Sequence, residues 1–311
     1  DDYIKGANMK KLQQKRLGFL PLIIQQFFQT DNFKCQVSHT NANLKSDFPC
    51  ILRQGVENSR LQSFIACIAD AYIETGKTKN ALSIKDMKNV IIEAIDLDKF
   101  LTYQNGTLLS LFYKEKEIDI RKYENTYIYK NIKFSREYQR KFIINAIKSY
   151  ENFIDFLRSD TDVIDYTYLW DIISTPNPKL FPKGINIVII EIIDNDITNN
   201  VRIICPTNHY SVEFYDINKK TLILIKNEEY YEPVYIFEDK KKYLEVIRLF
   251  NLTDKKLLKN LKTTLEIIKS ILDKNCKILP SLPKVYKFKE NIILSKLLYI
   301  LQNSKYKIVN Q

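Results

Sequence analysis

This sequence is short of glycine, of histidine and of long apolar runs. Glycine occurs at 6 of its 311 positions, and two glycine-dependent ligand loops are correspondingly incomplete. Gly76-Lys77-Thr78 ends like a phosphate-binding loop, but Ala71 stands where the first glycine of GxxxxGK[ST] belongs. The residues before it read as a helix, from which backbone amides cannot wrap a phosphate. Gly76 is therefore expected to be a helix C-cap. DNDITNN (194–200) starts like a calcium loop, with oxygens at alternate positions, but lacks the central glycine and has Cys205 where the closing glutamate belongs. A turn between strands is the expected reading. No window approaches 18 unbroken apolar residues, and no signal-peptide pattern opens the chain. It reads as soluble and intracellular. It begins at Asp1 rather than methionine, as an excised fragment or processed product would. The 5 cysteines (Cys35, Cys50, Cys67, Cys205, Cys276) form no CxxC pair. An odd count at irregular spacing argues against a disulfide framework and for a reducing compartment.

What is present is apolar bulk and unevenly placed charge. Apolar residues make up 45% of the chain, enough for a substantial core in two ordinary domains or one large one. Lysine, asparagine, isoleucine and tyrosine are abundant, a bias typical of AT-rich genomes that discounts raw lysine counts. The net charge is +11. Residues 240–311 hold 17 Lys+Arg against 5 Asp+Glu, and the other 239 residues hold 31 against 32. Such concentration is either an electrostatic footprint for a polyanion or a solvated helix face.

Periodicity predicts an α+β fold: an N-terminal helical region, a central antiparallel meander of about five strands, and C-terminal helices. A helix capped by Asn58 or Ser59 carries Leu61, Phe64, Ile65, Ile68 and Tyr72 inward. A second runs from about Ser83 to Tyr103, and Leu108, Leu109 and Phe112 suggest a short third. A long helix from Ser135 buries Tyr138, Phe142, Ile147, Tyr150, Ile154 and Leu157. Met9 to Gln29 is expected to be a helix interrupted near Gly18 to Pro21. TPNPKLFPKG (175–184) is a connector. The expected strands are Ile185–Ile193, Val201–Cys205, Tyr210–Asp216, Thr221–Lys226 and Tyr230–Phe237; their short polar links favour antiparallel order. In the third, Tyr210, Val212, Phe214 and Asp216 would share one face, and Ser211, Glu213 and Tyr215 the other. Helical period returns from Lys240, with Leu257, Leu258, Leu261, Leu265 and Ile268 behind a Thr253 cap. A last helix runs from about Asn291 to Gln302. The implied organisation is a mainly helical 1–175, a sheet over 176–239, and a basic helical 240–311 packing on that sheet.

Several constellations could carry chemistry. Cys35, His39, Cys50 and Cys67 are ligand types that zinc accepts, though their gaps match no familiar knuckle and Cys67 lies in an amphipathic helix. Cys205, His209 and Asp216 lie within twelve positions, but Cys205 ends a strand before a proline, with no helix N-terminus to lower its pKa. Glu191 and Asp194 could pair in a metal nuclease, yet no ExK triplet follows. No catalytic residue, cofactor or metal is assigned, and an unrecognised cysteine or metal-dependent hydrolase is kept as a competing reading. Aromatics beside cations are plentiful, as in KKKYLEVIR (240–248) and PKVYKFKEN (283–291). Lysines can neutralise phosphates while rings stack on bases. The candidate nucleic-acid contacts are Lys240, Lys241, Lys242, Lys255, Lys256, Lys259, Lys262, Lys284, Lys287 and Lys289.

KRLGFLPLIIQQFF (15–28), PCILRQGVENSRLQSFIACIAD (49–70) and the stretch from LWDIIS (169) through EEYYEPVY (235) together resemble one family. It is the large subunit of the early transcription factor of nucleocytoplasmic large DNA viruses, giant-virus type. The resemblance covers roughly residues 15–238 of this chain. It implies a non-enzymatic portion of a longer subunit that binds AT-rich early promoters beside a helicase-like small subunit. It further implies recruitment of the viral RNA polymerase and a place in the virion and the cytoplasmic viral factory, with no membrane partner. The competing class is a structural or interaction module of a large viral assembly that never touches nucleic acid.

Overall fold

The computed structural model describes residues 3–193, 201–206 and 214–276. Its first departure from expectation comes at once. Met9 to Gln29 is not an interrupted helix: Leu17–Gly18 is a short strand (β1), and helix is confined to Leu22–Phe27 (α1), behind Pro21. The cause is a close backbone approach at Gly55, where a Cβ would overlap the Gln13 carbonyl. There Lys15 donates its N–H to the Gly55 carbonyl (2.7 Å) and Gly55 donates to the Arg16 carbonyl (2.9 Å). These bonds satisfy backbone groups that a helix would otherwise claim.

Gln36–Ser38 (β2) and Asn41–Leu44 (β3) form a separate hairpin, and Cys50–Gln54 (β4) is buried throughout. The N-terminal region, expected to be helical, thus supplies strands to the main sheet. Helices follow. Ser63–Ala71 (α2) is buried on all sides, and Ser59 accepts the Gln62 N–H just before it (3.0 Å). Ile84–Ala94 (α3) starts at Ser83, whose hydroxyl accepts from the Asp86 N–H (3.1 Å) and donates to the Asp86 carboxylate (2.6 Å). Leu97–Phe100 (α4), Thr107–Leu111 (α5) and Tyr127–Asn131 (α6) are short. Glu137–Arg158 (α7) buries Ile143, Ala146, Ile147, Phe153, Ile154 and Leu157. Tyr138 and Phe142, expected on that face, stay 64% and 45% exposed. Tyr166–Ser174 (α8) then leads into the proline-rich connector.

The remaining strands are Ile185–Ile192 (β5), Val201–Ile203 (β6), Lys220–Asn227 (β7), Tyr230–Asp239 (β8) and Leu244–Ile247 (β9), and Lys259–Asn275 (α9) follows. The sheet order is β1-β4-β8-β7-β5-β6, with β9 also on β8. It is mostly antiparallel, but β5 and β7 run parallel over eight pairs, from Ile185↔Lys220 to Ile192↔Asn227. The antiparallel meander is corrected accordingly. β6 takes the outer edge of β5, so the chain returns across the sheet to reach the other edge. Near-continuous apolar runs in β5 and β7 fit parallel strands covered on both faces. Of the expected third strand, residues 210–213 lie outside the described residues. Phe214 and Tyr215, assigned to opposite faces, are both buried in one cluster. The segment after Lys240 forms β9 rather than helix. Thr253 caps nothing: Asn251 and Asp254 make side-chain turns there, and α9 begins six residues later. The helix expected over Asn291 to Gln302 lies outside the described residues.

Strand alternation sorts two cores. Leu52, Ile187, Ile189, Leu222, Leu224, Tyr235 and Phe237 face α2, α3 and α8. Ile51, Val188, Ile190, Ile223, Ile225, Val234 and Ile236 face α1 and α9, meeting Leu261, Leu265, Ile268 and Leu272. The sheet therefore lies between two helical layers.

Candidate functional site

The predicted cationic residues fall on two elements. Lys240, Lys241 and Lys242 make the turn between β8 and β9. Lys240 pairs with Glu238 (2.5 Å) and lies 3.8 Å from Glu245; Glu238 holds its ammonium above the ordinary lysine range. Lys241 pairs with Asp47 (3.1 Å). Two of the trio are thus neutralised by their own neighbours, and Lys242 is exposed. Lys255, Lys256, Lys259 and Lys262 crowd the start of α9, all exposed and without an ion pair among the described residues. No side chain caps α9, and its first turn holds no acidic residue. Cations are disfavoured at this positive end of a helix dipole, so helix stability does not account for the quartet. Lys284, Lys287 and Lys289 lie outside the described residues.

The cysteine constellations resolve into crosslinks. Cys35 is disulfide-bonded to Cys50 and Cys205 to Cys276, with Cα separations of 5.7 and 5.3 Å. This corrects the expectation of unpaired thiols and weighs against a reducing compartment; spacing in sequence says nothing about which chain segments meet. It also removes a zinc set built on Cys35 and Cys50, and it leaves Cys205 no thiolate. Cys67 remains free and fully buried, and burial pushes its thiol well up. His209 lies outside the described residues. Asp216 serves structure: its N–H donates to Asn186 Oδ1 (3.0 Å) and its carbonyl accepts from Asn186 Nδ2 (2.8 Å). Glu191 is held by Lys226 and lies 3.4 Å from Arg202, while Asp194 lies outside the described residues. Among the described residues no three His, Cys, Asp or Glu side chains gather as metal ligands. Gly76 is left-handed (φ 73°) at a helical C-terminus, as expected.

Two charge pairs, one buried and one half-buried, escaped the sequence reading. Arg53 on β4 and Glu232 on β8 are 2% and 6% exposed and 2.5 Å apart. Arg53 also donates to the carbonyls of Phe19 (2.8 Å) and Met9 (2.5 Å), and Glu232 accepts the Leu12 N–H (2.7 Å). Burial pushes the Glu232 carboxyl up, with Arg53 and the Leu12 amide pulling the other way. The pair floors a ≈ 210 Å³ cavity that Lys10, Pro21, Asn227 and Tyr230 also line. On the opposite face, Asp70 of α2 accepts from Gln54 (3.2 Å) and Arg248 (3.2 Å), and the Arg248 guanidinium lies 5.7 Å from the Tyr235 ring. The signal of the first pair in the sequence is a charge inside an apolar strand, CILRQ and YYEPVYIF. Comparison with protein-family models, curated proteins and solved structures finds no match for this chain.

Proposed function

We propose that the chain is a non-enzymatic, DNA-binding and protein-binding portion of a viral early transcription initiation factor, of the large-subunit type its sequence resembles. On this reading it acts in the virion and the cytoplasmic viral factory. It engages AT-rich promoter duplex with a helicase-like small subunit and brings in the viral RNA polymerase. The observation that carries the reading is the lysine quartet at α9. Lys255, Lys256, Lys259 and Lys262 are exposed, lack acidic partners among the described residues, and share the end of a helix whose backbone N–H groups favour anions. The β8–β9 turn contributes less, since Glu238 and Asp47 already occupy Lys240 and Lys241.

Fluorescence anisotropy of the full chain with a labelled AT-rich duplex of about 20 base pairs tests this, because each phosphate contact adds about −0.9 to the slope of log K against log salt. Four contacts give a slope of about −3.6. The quadruple substitution K255E/K256E/K259E/K262E is expected to weaken binding severely and flatten the slope of what remains while leaving thermal unfolding unchanged. Absent or salt-insensitive binding by the parent overturns the proposal, and so does unaltered binding by the variant.

A further inference from the structure

The exposure of Tyr138 and Phe142 marks a second surface, distant in sequence from the α9 lysines. Between α6 and the first turns of α7 lies a ≈ 500 Å³ groove lined by Ile128, Asn131, Ile132, Tyr138, Gln139 and Phe142. It is preformed. Asp98 accepts the N–H groups of Tyr127 (2.7 Å) and Ile128 (2.9 Å), fixing the start of α6. Gln139 Oε1 accepts the Lys133 N–H (2.7 Å), tying the link between the helices. Behind the floor, Ile128 and Ile132 pack on Ile143, Ala146 and Ile147.

The lining is apolar and the surroundings are cationic. Residues 127–142 carry five Lys+Arg against one glutamate. Lys130, Lys133, Arg136 and Arg140 make no ion pair among the described residues and are all exposed. Arg136 donates to the Tyr138 hydroxyl (3.2 Å), which puts one cation at the rim. That hydrogen bond, helped by the one from Gln139 and by the Arg136 and Lys133 charges, holds the Tyr138 hydroxyl below its ordinary range.

We infer that this groove docks an acidic, amphipathic peptide segment of a partner protein, its apolar side chains between α6 and α7 and its carboxylates on the cationic rim. Helix-lined apolar grooves take apolar anchors spaced three or four residues apart. The amides that a nucleobase edge would use each already spend a donor inside the chain: Asn131 Nδ2 donates to the Tyr127 carbonyl (2.8 Å) and Gln139 Nε2 to the Tyr138 hydroxyl (3.2 Å). The chain's own residues 277–311 carry seven lysines against one glutamate, the wrong charge for a cationic rim. The same argument excludes the matching groove of a second copy.

A phage-displayed library of random 16-residue peptides, selected on the full chain, tests the inference. Enriched peptides are expected to place two apolar residues three or four apart among Asp and Glu. Their affinity should fall at least about tenfold for Phe142→Asp, as loss of one anchor contact implies; it should weaken with salt for the parent and lose most of that salt dependence for K133E/R136E. Both sites are surface positions, so thermal unfolding should not change; Tyr138→Ser offers a milder control. The inference is overturned if no peptide is enriched, if enriched peptides lack acidic residues, or if Phe142→Asp binds them equally. Binding of a 20-nucleotide single strand that Phe142→Asp abolishes would assign the groove to nucleic acid instead.

Discussion

Arg53 and Glu232 sit diagonally across the β4–β8 pair, since Arg53 registers with Val234 two residues on. Taking two charges out of water is costly, and the pair is tolerated because every strong donor and acceptor finds a partner. Its structural product is the N-terminal segment, whose Met9, Leu12 and Phe19 backbones all end on these two side chains. Arg53→Met strands a buried carboxylate and is expected to cost about 3–5 kcal/mol, whereas Arg53→Met with Glu232→Leu should recover part of that loss. The recovery stays partial because the two carbonyls lose Arg53 in either case and the double variant also strips the Leu12 amide of its acceptor. Urea unfolding of the four proteins measures the coupling. A single substitution costing under about 1 kcal/mol would reduce the pair to a surface-like contact.

At the scale of elements, the 22-residue helix α7 ends against a buried lysine. Lys88 of α3 is 4% exposed and directs its ammonium at the Ser159 carbonyl (2.9 Å) and the Asp160 carboxylate (2.7 Å). The cation meets the negative end of the α7 dipole, where four carbonyls lack helical partners. Lys88 in turn holds the Asp160 carboxyl below its usual range. A depressed carboxyl means that the folded chain gives up this proton more readily than the unfolded one. The pairing therefore stabilises above the unfolded carboxylate range and is lost as pH falls through the depressed value. Lys88→Met should lower the midpoint of thermal unfolding at neutral pH and lose its effect in acid; an equal loss at every pH would assign Lys88 to packing alone. Much of this element was legible. Ser83 starts α3 through its hydroxyl, and the apolar period of α7 is plain from Ile143 onward. Three features were not legible, each for a non-local reason. Tyr138 and Phe142 fit the helical period but have no layer to meet. β4 lies in the region expected to be mainly helical, and its strand is set by pairing with a distant β8. β7 joins β5 in parallel because β6 has taken the other edge, which no local pattern records. The groove stayed hidden for a related reason: charge counted over long windows averages the local excess at 127–142 to nothing.

For the molecule as a whole, the crosslinks decide how the two cores stay in register with the sheet. Cys35–Cys50 joins the turn before β2 to the head of β4, with both sulfurs in the core under α2. Cys205–Cys276 joins the exit of β6 to the residue after α9, in the opposite core. Each face of the sheet thus holds one staple. In the chain-entropy description the loops of 15 and 71 residues contribute about 3 and about 4 kcal/mol. That total, about 7 kcal/mol, falls within the range of about 5–15 kcal/mol for the net stability of an ordinary domain, so the fold should depend on its oxidation state. Thiol titration reads this directly. Among the five cysteines, the folded protein should show no reactive thiol, because Cys67 is fully buried with its thiol pushed up. Denaturation without reductant should expose one thiol, and reduction should expose five. C205A/C276A should lower the urea midpoint more than C35A/C50A, and added reductant should then cost the first variant only the smaller loop. Five free thiols in the unreduced, denatured chain would return the protein to the reducing compartment that its cysteine spacing suggested. The packing of α9 would then rest on Leu261, Leu265, Ile268 and Leu272 alone.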